Sequence, residues 1–191
     1  MVLFETMGKH NTEPTVRIAV EKAKALGCDL VVASYGGNTA RAALDTAQEL
    51  GYEGKIVVVR GVSSAQGGGV NRMSPETKAE LEARGAVVVT AAHALSGGER
   101  GLSGAFQGVY PLEIMAHTLR MLGAGVKVGV ECAVMALDAD VIAFGKPVVS
   151  VAGRAGSADT AIVITPSYSA TITKTLVHEI LCKPSLYPEA E

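Results

Sequence analysis

The apolar residues of this chain change their spacing several times, from the period of a helix to that of a strand and back. Short apolar, β-branched runs at Leu30–Ala33, 56–59 and 87–89 predict strands that are covered on both faces. Helical spacing runs from Asn11 to Gly27 and over residues 39–50. Alternating strands and helices with short connections predict a parallel sheet between two layers of helices.

A third helix is predicted to begin at Ser74, which is followed by a proline as at many helix starts, and to end at Gly85. The alternation then breaks. Residues 91–110 contain five glycines and predict a long loop, for which a lid over a ligand and a surface or subunit-contact loop are equal alternatives. Helices are predicted over residues 111–122 and over much of 126–137.

Two more strands are predicted near the end of the chain. A fourth strand covers residues 147–152, and a fifth over 161–164 follows too closely for a helical crossover, so it should pair antiparallel with the fourth. Residues 173–182 predict a last helix. Right-handed crossovers extend the sheet in one direction until strand four returns beside strand one. The expected fold is therefore a single α/β domain over 1–191 with a three-layer αβα arrangement. Its mixed five-stranded sheet has the order 3-2-1-4-5, with strand 5 antiparallel.

A ligand of such a sheet is expected beyond the carboxyl ends of strands one and four, where the winding reverses. The loop after strand one leads directly into a helix N-terminus, and its two glycines permit a close approach of the backbone to an anion. A structural alternative is that these residues only turn the chain and cap the helix. The predicted phosphate contacts are Ser34, Tyr35, Gly36, Gly37, Asn38, Thr39 and Arg41.

Further contacts are expected from segments that the same topology brings near the switch point. The loop after strand four contributes hydroxyl and charged groups. The segment before the first helix either reaches a phosphate or is a solvated cap, and the sequence leaves both open. His93 follows strand three and is a candidate acid or base. Tyr35 and Tyr110 are the aromatic residues best placed to stack on a ring. These second contacts are Lys9, Asn11, Thr12, His93, Gly153, Arg154, Ser157, Asp159 and Thr160.

Composition narrows the class of protein. The chain has 191 residues, 48% apolar, with a formal net charge of −2, which argues against disorder and against a partner bound through nucleic-acid phosphates. No secretory signal or membrane-length apolar run is recognisable, so we expect a cytoplasmic protein with no membrane partner. Cys28, Cys132 and Cys182 lack metal-ligand spacing and are expected to be small buried apolar groups, with no metal site.

Several known motifs are missing or incomplete. The chain has no GxxxxGK[ST] loop, and no GxGxxG follows the first strand, which disfavours nucleotide triphosphatases and ordinary NAD binding. His117 and His178 are expected in helices as packing or surface residues. Since no nucleophile, base and orienting group can be assembled, no catalytic residues are assigned.

The stretch from Leu30 to Arg41 resembles the strand, turn and Thr-Ala-Arg helix start of the pyruvate kinase C-terminal domain. The likeness continues through Gly108-Val109-Tyr110-Pro111, the strand at 148–153 and the segment at 159–163, and the chain is most similar to stand-alone prokaryotic proteins of that superfamily, which carry no catalytic barrel. This resemblance implies the same αβα order and, in the first loop, a site for the phosphate of an effector. The family turn often has a basic or hydroxyl residue where this chain has Gly36-Gly37, so a mononucleotide is favoured over a sugar bisphosphate, with flavin mononucleotide (FMN) as the ligand to try first.

Three functions remain open at this stage. The first is a sensor or carrier that binds a phosphorylated small molecule, FMN-like or another phosphometabolite, and forms a homo-oligomer through exposed apolar helix faces. The second is an enzyme that uses such a ligand, either through flavin chemistry or through Lys9, His10 or His93. The third is a structural or interaction domain in which the anion site is vestigial.

Overall fold

Seven strands form one mixed sheet in the computed structural model, which describes residues 1–63, 68–154 and 156–186. The sheet order is β1-β7-β6-β5-β2-β3-β4, and β6 alone runs opposite to the other strands. The strands are β1 (Val2–Thr6), β2 (Leu30–Ala33), β3 (Ile56–Arg60), β4 (Val87–Thr90), β5 (Val148–Ala152), β6 (Thr160–Thr165) and β7 (Leu176–Leu186).

Helices cover both faces of the sheet, because the central strands are apolar on both sides. Leu30 and Val32 of β2 pack into one core with the first three helices, whereas Val31 packs into a second core against the last helix. The helices are α1 (Thr12–Leu26), α2 (Asn38–Leu50), α3 (Pro75–Ala83), α4 (Gly97–Phe106), α5 (Pro111–Arg120) and α6 (Ala124–Asp138), with short 3₁₀ segments at Lys9–Asn11 and Ser169–Lys174.

The five strands expected from the sequence are present as β2 to β6, and they lie in the predicted order with β6 antiparallel to β5. The predicted number of strands is wrong, because β7 and β1 extend the sheet beyond β6. β6 is buried along most of its length, so its outer backbone groups need hydrogen-bond partners, and β7 supplies them by pairing antiparallel with it.

The prediction of a helix over residues 173–182 is therefore also wrong. Its apolar residues have a helical spacing, but most of this segment belongs to β7, so that His178 lies on a strand. Residues 91–110 are likewise not one long loop, since they contain α4 despite four glycines in ten residues. Contacts with α5 stabilise α4: Glu99 Oε2 accepts the Leu112 amide at 2.9 Å, and Ser103 Oγ donates to Glu113 Oε1 at 2.7 Å.

No helix among the described residues is both long enough and apolar enough to cross a membrane. Cys132 and Cys182 are buried and Cys28 is half-buried, and all three are free thiols, as expected for small apolar groups.

Candidate functional site

A cavity of about 330 Å³ opens at the carboxyl ends of β2, β3 and β5, next to the point where the winding of the sheet reverses. This volume lies in the range of small-molecule sites. The polar lining comes from the loops after β2, β4 and β5, from the end of β3, and from the segments before α1 and α3: Lys9, Ser34, Tyr35, Asn38, Thr39, Arg60, Arg72, His93 and Ser157.

The turn between β2 and α2 forms part of the lining of this cavity. Gly37 is the N-cap of α2, in the left-handed region with φ of +98°, and it has no side chain that could accept an amide of the first turn. Ser34 Oγ accepts the amide of Ala40 at 3.4 Å. The hydrogen bonds within the described residues give the amides of Gly36, Asn38 and Thr39 no protein acceptor. These N–H groups at a helix N-terminus are suited to an anion.

Three basic residues line the cavity, and none of the described lining residues is acidic. Arg60 is held in place because its Nε donates to Thr90 Oγ1 at 2.6 Å and its Nη1 donates to the Met73 carbonyl at 3.1 Å. The guanidinium carbon of Arg72 lies 5.6 Å from the ring centroid of Tyr35, at cation–π distance. Together with Lys9, these residues favour a negatively charged ligand.

The cavity also has an apolar wall, formed by Val59 at the end of β3 and by one face of α6. The α6 face consists of Val128, Cys132 and Met135. Burial raises the pKa of the Cys132 thiol to about 12, so at neutral pH this thiol is protonated and is a poor nucleophile. The wall is therefore a surface for packing an apolar ring or chain.

His93 lies between the cavity and a fully buried carboxylate. Its Nε2 is 2.9 Å from the hydroxyl of Tyr35, and its Nδ1 is 3.4 Å from Oε2 of Glu131. Glu131 also contacts the Lys127 ammonium and accepts the amide of Leu95 at 3.0 Å. Burial raises the pKa of the Glu131 carboxyl, but the neighbouring His93 and Lys127 lower it further, so its pKa lies below the usual value.

Most of the predicted loop residues border the cavity, and several other candidates do not. Besides the polar residues named above, Gly36 and Gly153 are part of the lining. Gly37 is buried behind it, where a Cβ would lie 2.6 Å from Cγ2 of Thr77. The guanidinium of Arg41 faces Glu80, with Nη2 and Oε2 2.6 Å apart, rather than the amides of its own loop.

The remaining candidates have structural contacts outside the cavity lining. Asn11 is buried and donates to the Thr6 carbonyl at 2.7 Å, and Thr12 Oγ1 accepts the Ala158 amide at 3.2 Å. The Thr160 hydroxyl donates to the buried Asp159 carboxylate at 2.8 Å, while burial raises the pKa of that carboxyl. The predicted residues that lie outside the lining are Asn11, Thr12, Gly37, Arg41, Tyr110, Arg154, Asp159 and Thr160.

Sequence reasoning overlooked Arg60 and Arg72 as residues that line the cavity, and Glu131 as the partner of His93. Arg60 could have been identified, because a basic residue at the end of the second predicted strand points toward the ligand edge of the sheet. Glu131 gave no such signal, since it lies 38 positions from His93 along the chain. Within the described part of the chain, no group of three or more His, Cys, Asp or Glu residues could hold a metal ion.

A scan of the sequence against models of known protein families finds no match.

Proposed function

We propose that this protein binds a phosphorylated small molecule in the cavity between the β2–α2 turn and α6, as a cytoplasmic sensor or carrier. The observation that carries the proposal is the set of backbone amides at Gly36, Asn38 and Thr39, which have no protein acceptor among the described residues. These three residues line the same cavity as three basic side chains. Backbone donors and the positive end of a helix dipole favour a phosphate group at this position.

The rest of the cavity suits a ligand with an apolar or aromatic part. Tyr35 contributes an aromatic ring to the lining, and Val128 and Met135 of α6 are part of its apolar wall. A phosphate on the turn would leave this wall for a ring, as in a mononucleotide. FMN is the first ligand to test, because the resemblance to stand-alone relatives of the pyruvate kinase C-terminal domain implies it.

The sheet also supports placing the chain with those relatives, as part of the same proposal. The order β4-β3-β2-β5-β6, with β6 antiparallel, is the order that the resemblance implies. The two further strands, β7 and β1, are additions to that arrangement.

The proposal is tested by titrating the purified protein with FMN and with riboflavin, which lacks the phosphate, and following flavin fluorescence. The wild-type protein should bind FMN more tightly than riboflavin. Gly36→Asp places a carboxylate at the turn, where a Cβ has open space. Because two like charges about 4 Å apart repel by roughly 4 kcal/mol near a protein surface, FMN affinity should fall by at least about tenfold.

Riboflavin affinity should change little in Gly36→Asp, because the repulsion acts on the phosphate. Gly98→Asp is the matched control, since Gly98 is exposed on α4, also has open space at its Cβ, and lies outside the cavity. Failure of the wild-type protein to bind FMN or inorganic phosphate at millimolar concentration would overturn the proposal, as would equal FMN affinity of Gly36→Asp and the wild type.

A further inference from the structure

Tyr35, His93 and Glu131 form a chain of contacts, and the charge of the buried Glu131 decides which nitrogen of His93 carries the proton. Glu131 is 0% exposed and, with its pKa lowered, is a carboxylate that accepts hydrogen bonds. An adjacent imidazole is then stabilised with its proton on Nδ1, the nitrogen that faces Glu131 at 3.4 Å. Nε2 is left as an acceptor for the Tyr35 hydroxyl at 2.9 Å.

His93 lies between the buried Glu131 carboxylate and the cavity. Its Nδ1 is buried and makes no hydrogen bond of normal geometry within the described residues, although the Glu131 carboxylate is the group it faces. A small turn of the imidazole toward Oε2 of Glu131, which straightens the N–H···O angle of this 3.4 Å contact, would make an ordinary hydrogen bond. Tyr35 and His93 both line the cavity, so the open end of the array meets any ligand that fills it.

We propose that Tyr35, His93 and Glu131 form an acid–base centre that acts on a hydroxyl group of the phosphorylated molecule bound in this cavity, an inference that rests on the proposed function. In the forward step the substrate O–H gives its proton to Tyr35 Oη, while the Tyr35 proton passes to His93 Nε2. The substrate becomes an alkoxide next to the basic residues of the cavity, and Glu131 stabilises the imidazolium. The reverse transfer returns the proton to the substrate.

In this arrangement Tyr35 and His93 are the catalytic residues, and Glu131 is a positioning residue. A carboxylate that fixes the tautomer of a histidine and stabilises its protonated form is a recurring device of acid–base sites. Lys127 balances the buried charge of Glu131, since an isolated carboxylate at this depth would be costly. The charged and titratable groups around His93, on the elements that surround it, are Lys9, Tyr35, Arg60, Arg72, Lys127, Glu131, Cys132 and Asp138.

The first test measures the tautomer of His93 by NMR of the full chain labelled with ¹⁵N-histidine, at about pH 8, where free histidine is neutral. His93 should carry its proton on Nδ1. Tyr35→Phe keeps every buried charge and should shift the Nε2 resonance while the proton stays on Nδ1. Glu131→Gln should lose the preference for Nδ1, and Glu131→Asp should restore part of it.

His178 serves as the internal reference, because its Nε2 also contacts a hydroxyl, that of Thr165 at 2.8 Å, but the residue is exposed on β7. Its resonances should not change in any of these variants. A His93 proton on Nε2 in the wild type, or an unchanged Nε2 resonance in Tyr35→Phe, would overturn the proposal.

The second test adds glycerol 3-phosphate, a phosphomonoester with hydroxyl groups, to the ¹⁵N-histidine-labelled chain at about pH 8. Because the proposed step moves the proton of the substrate hydroxyl through Tyr35 to His93, the effect is read at His93 Nε2 and not as proton exchange with the buffer. In the wild type the bound probe should shift the Nε2 resonance, and in Tyr35→Phe with the probe bound this shift should be lost. An equal shift in Tyr35→Phe, or binding of inorganic phosphate without binding of glycerol 3-phosphate, would overturn the acid–base centre, whereas failure to bind FMN, inorganic phosphate and glycerol 3-phosphate alike would overturn the proposed function.

Discussion

Helices α2 and α3 begin on neighbouring crossovers of the sheet, but their N-terminal ends are completed in opposite ways. At α3, Ser74 Oγ accepts the Thr77 amide at 3.2 Å, and Pro75 occupies the first helical position, where its missing N–H costs nothing. At α2, Gly37 stands in the cap position with φ of +98° and has no side chain to accept an amide. One helix end is closed by its own sequence, and the other is open to the cavity.

The comparison shows that the open end of α2 does not result from a lack of capping residue types in the local sequence. Asn38 and Thr39 are both residue types that cap helices well, yet they lie one and two positions too late in the chain to do so here. The two ends even touch, since Thr77 of the closed end packs against Gly37 of the open one. The binding role that we propose for these amides would account for the difference, because a side-chain cap on α2 would compete with an anion for the same N–H groups.

Gly37→Ala is expected to have the largest effect on stability of the substitutions that probe this comparison. The left-handed conformation costs about 1–3 kcal/mol for a residue with a side chain. The new Cβ would also lie 2.6 Å from Thr77 Cγ2, so the neighbouring end must shift. The free energy of unfolding, measured by urea denaturation, should fall by at least the cost of the strain, and FMN affinity should fall with it.

The contact part of this effect can be separated from the backbone part. Thr77→Ser removes the Cγ2 methyl group and keeps the hydroxyl and the amide that Ser74 caps. The double variant Gly37→Ala with Thr77→Ser should recover part of the stability lost by Gly37→Ala alone. Purely additive free energies of unfolding would show that the two helix ends are not in contact in solution.

Ser74→Ala should have a smaller effect, confined to the closed end. Loss of an N-cap hydroxyl typically costs about 1 kcal/mol of stability. The Ser74 hydroxyl also lowers the pKa of the Glu76 carboxyl through a hydrogen bond. The stability that this second hydrogen bond contributes is present at neutral pH and is lost as the pH falls through that lowered pKa. Urea denaturation at neutral and acidic pH measures both parts.

FMN affinity is the control for Ser74→Ala, and it should remain within about twofold of the wild-type value because the closed end does not line the cavity. A large loss of FMN affinity in this variant would show that the two ends act as one site, which would break the comparison.

Much of this arrangement could be predicted from the sequence, because the information was local. Ser74 followed by proline indicated the start of α3, and Gly36-Gly37 after a buried strand indicated the turn before α2. The five strands β2 to β6 followed from apolar runs, and their order followed from crossover handedness.

The rest could not be predicted, because distant parts of the chain decide it. The apolar residues of β7, from Leu176 to Leu181, fit a helix as well as a strand, and pairing with the edge of β6 selects the strand. β1 is a five-residue edge strand with mostly exposed side chains, so its sequence has no clear hydrophobic pattern. In the site, Arg72 and Glu131 reach the cavity region only through the folding of long connections.

Arg41→Ala is expected to have the smallest effect, and it separates the sequence interpretation from the structural one. A charge-assisted contact between Arg41 and a phosphate would make this substitution as damaging to FMN affinity as the loss of a cavity arginine. The structure instead directs the guanidinium to Glu80, in an exposed ion pair that lowers the pKa of that carboxyl. FMN affinity should therefore stay within about twofold of the wild-type value, since Arg41 lies outside the cavity lining. NMR titration should show the pKa of Glu80 rising toward its usual value.

Arg72→Ala is the matched comparison, because it removes an arginine that does line the cavity, and it should weaken FMN binding most at low salt. If Arg41→Ala weakened FMN binding as much as Arg72→Ala, the open end of α2 would have to recruit Arg41 from Glu80 when the ligand binds.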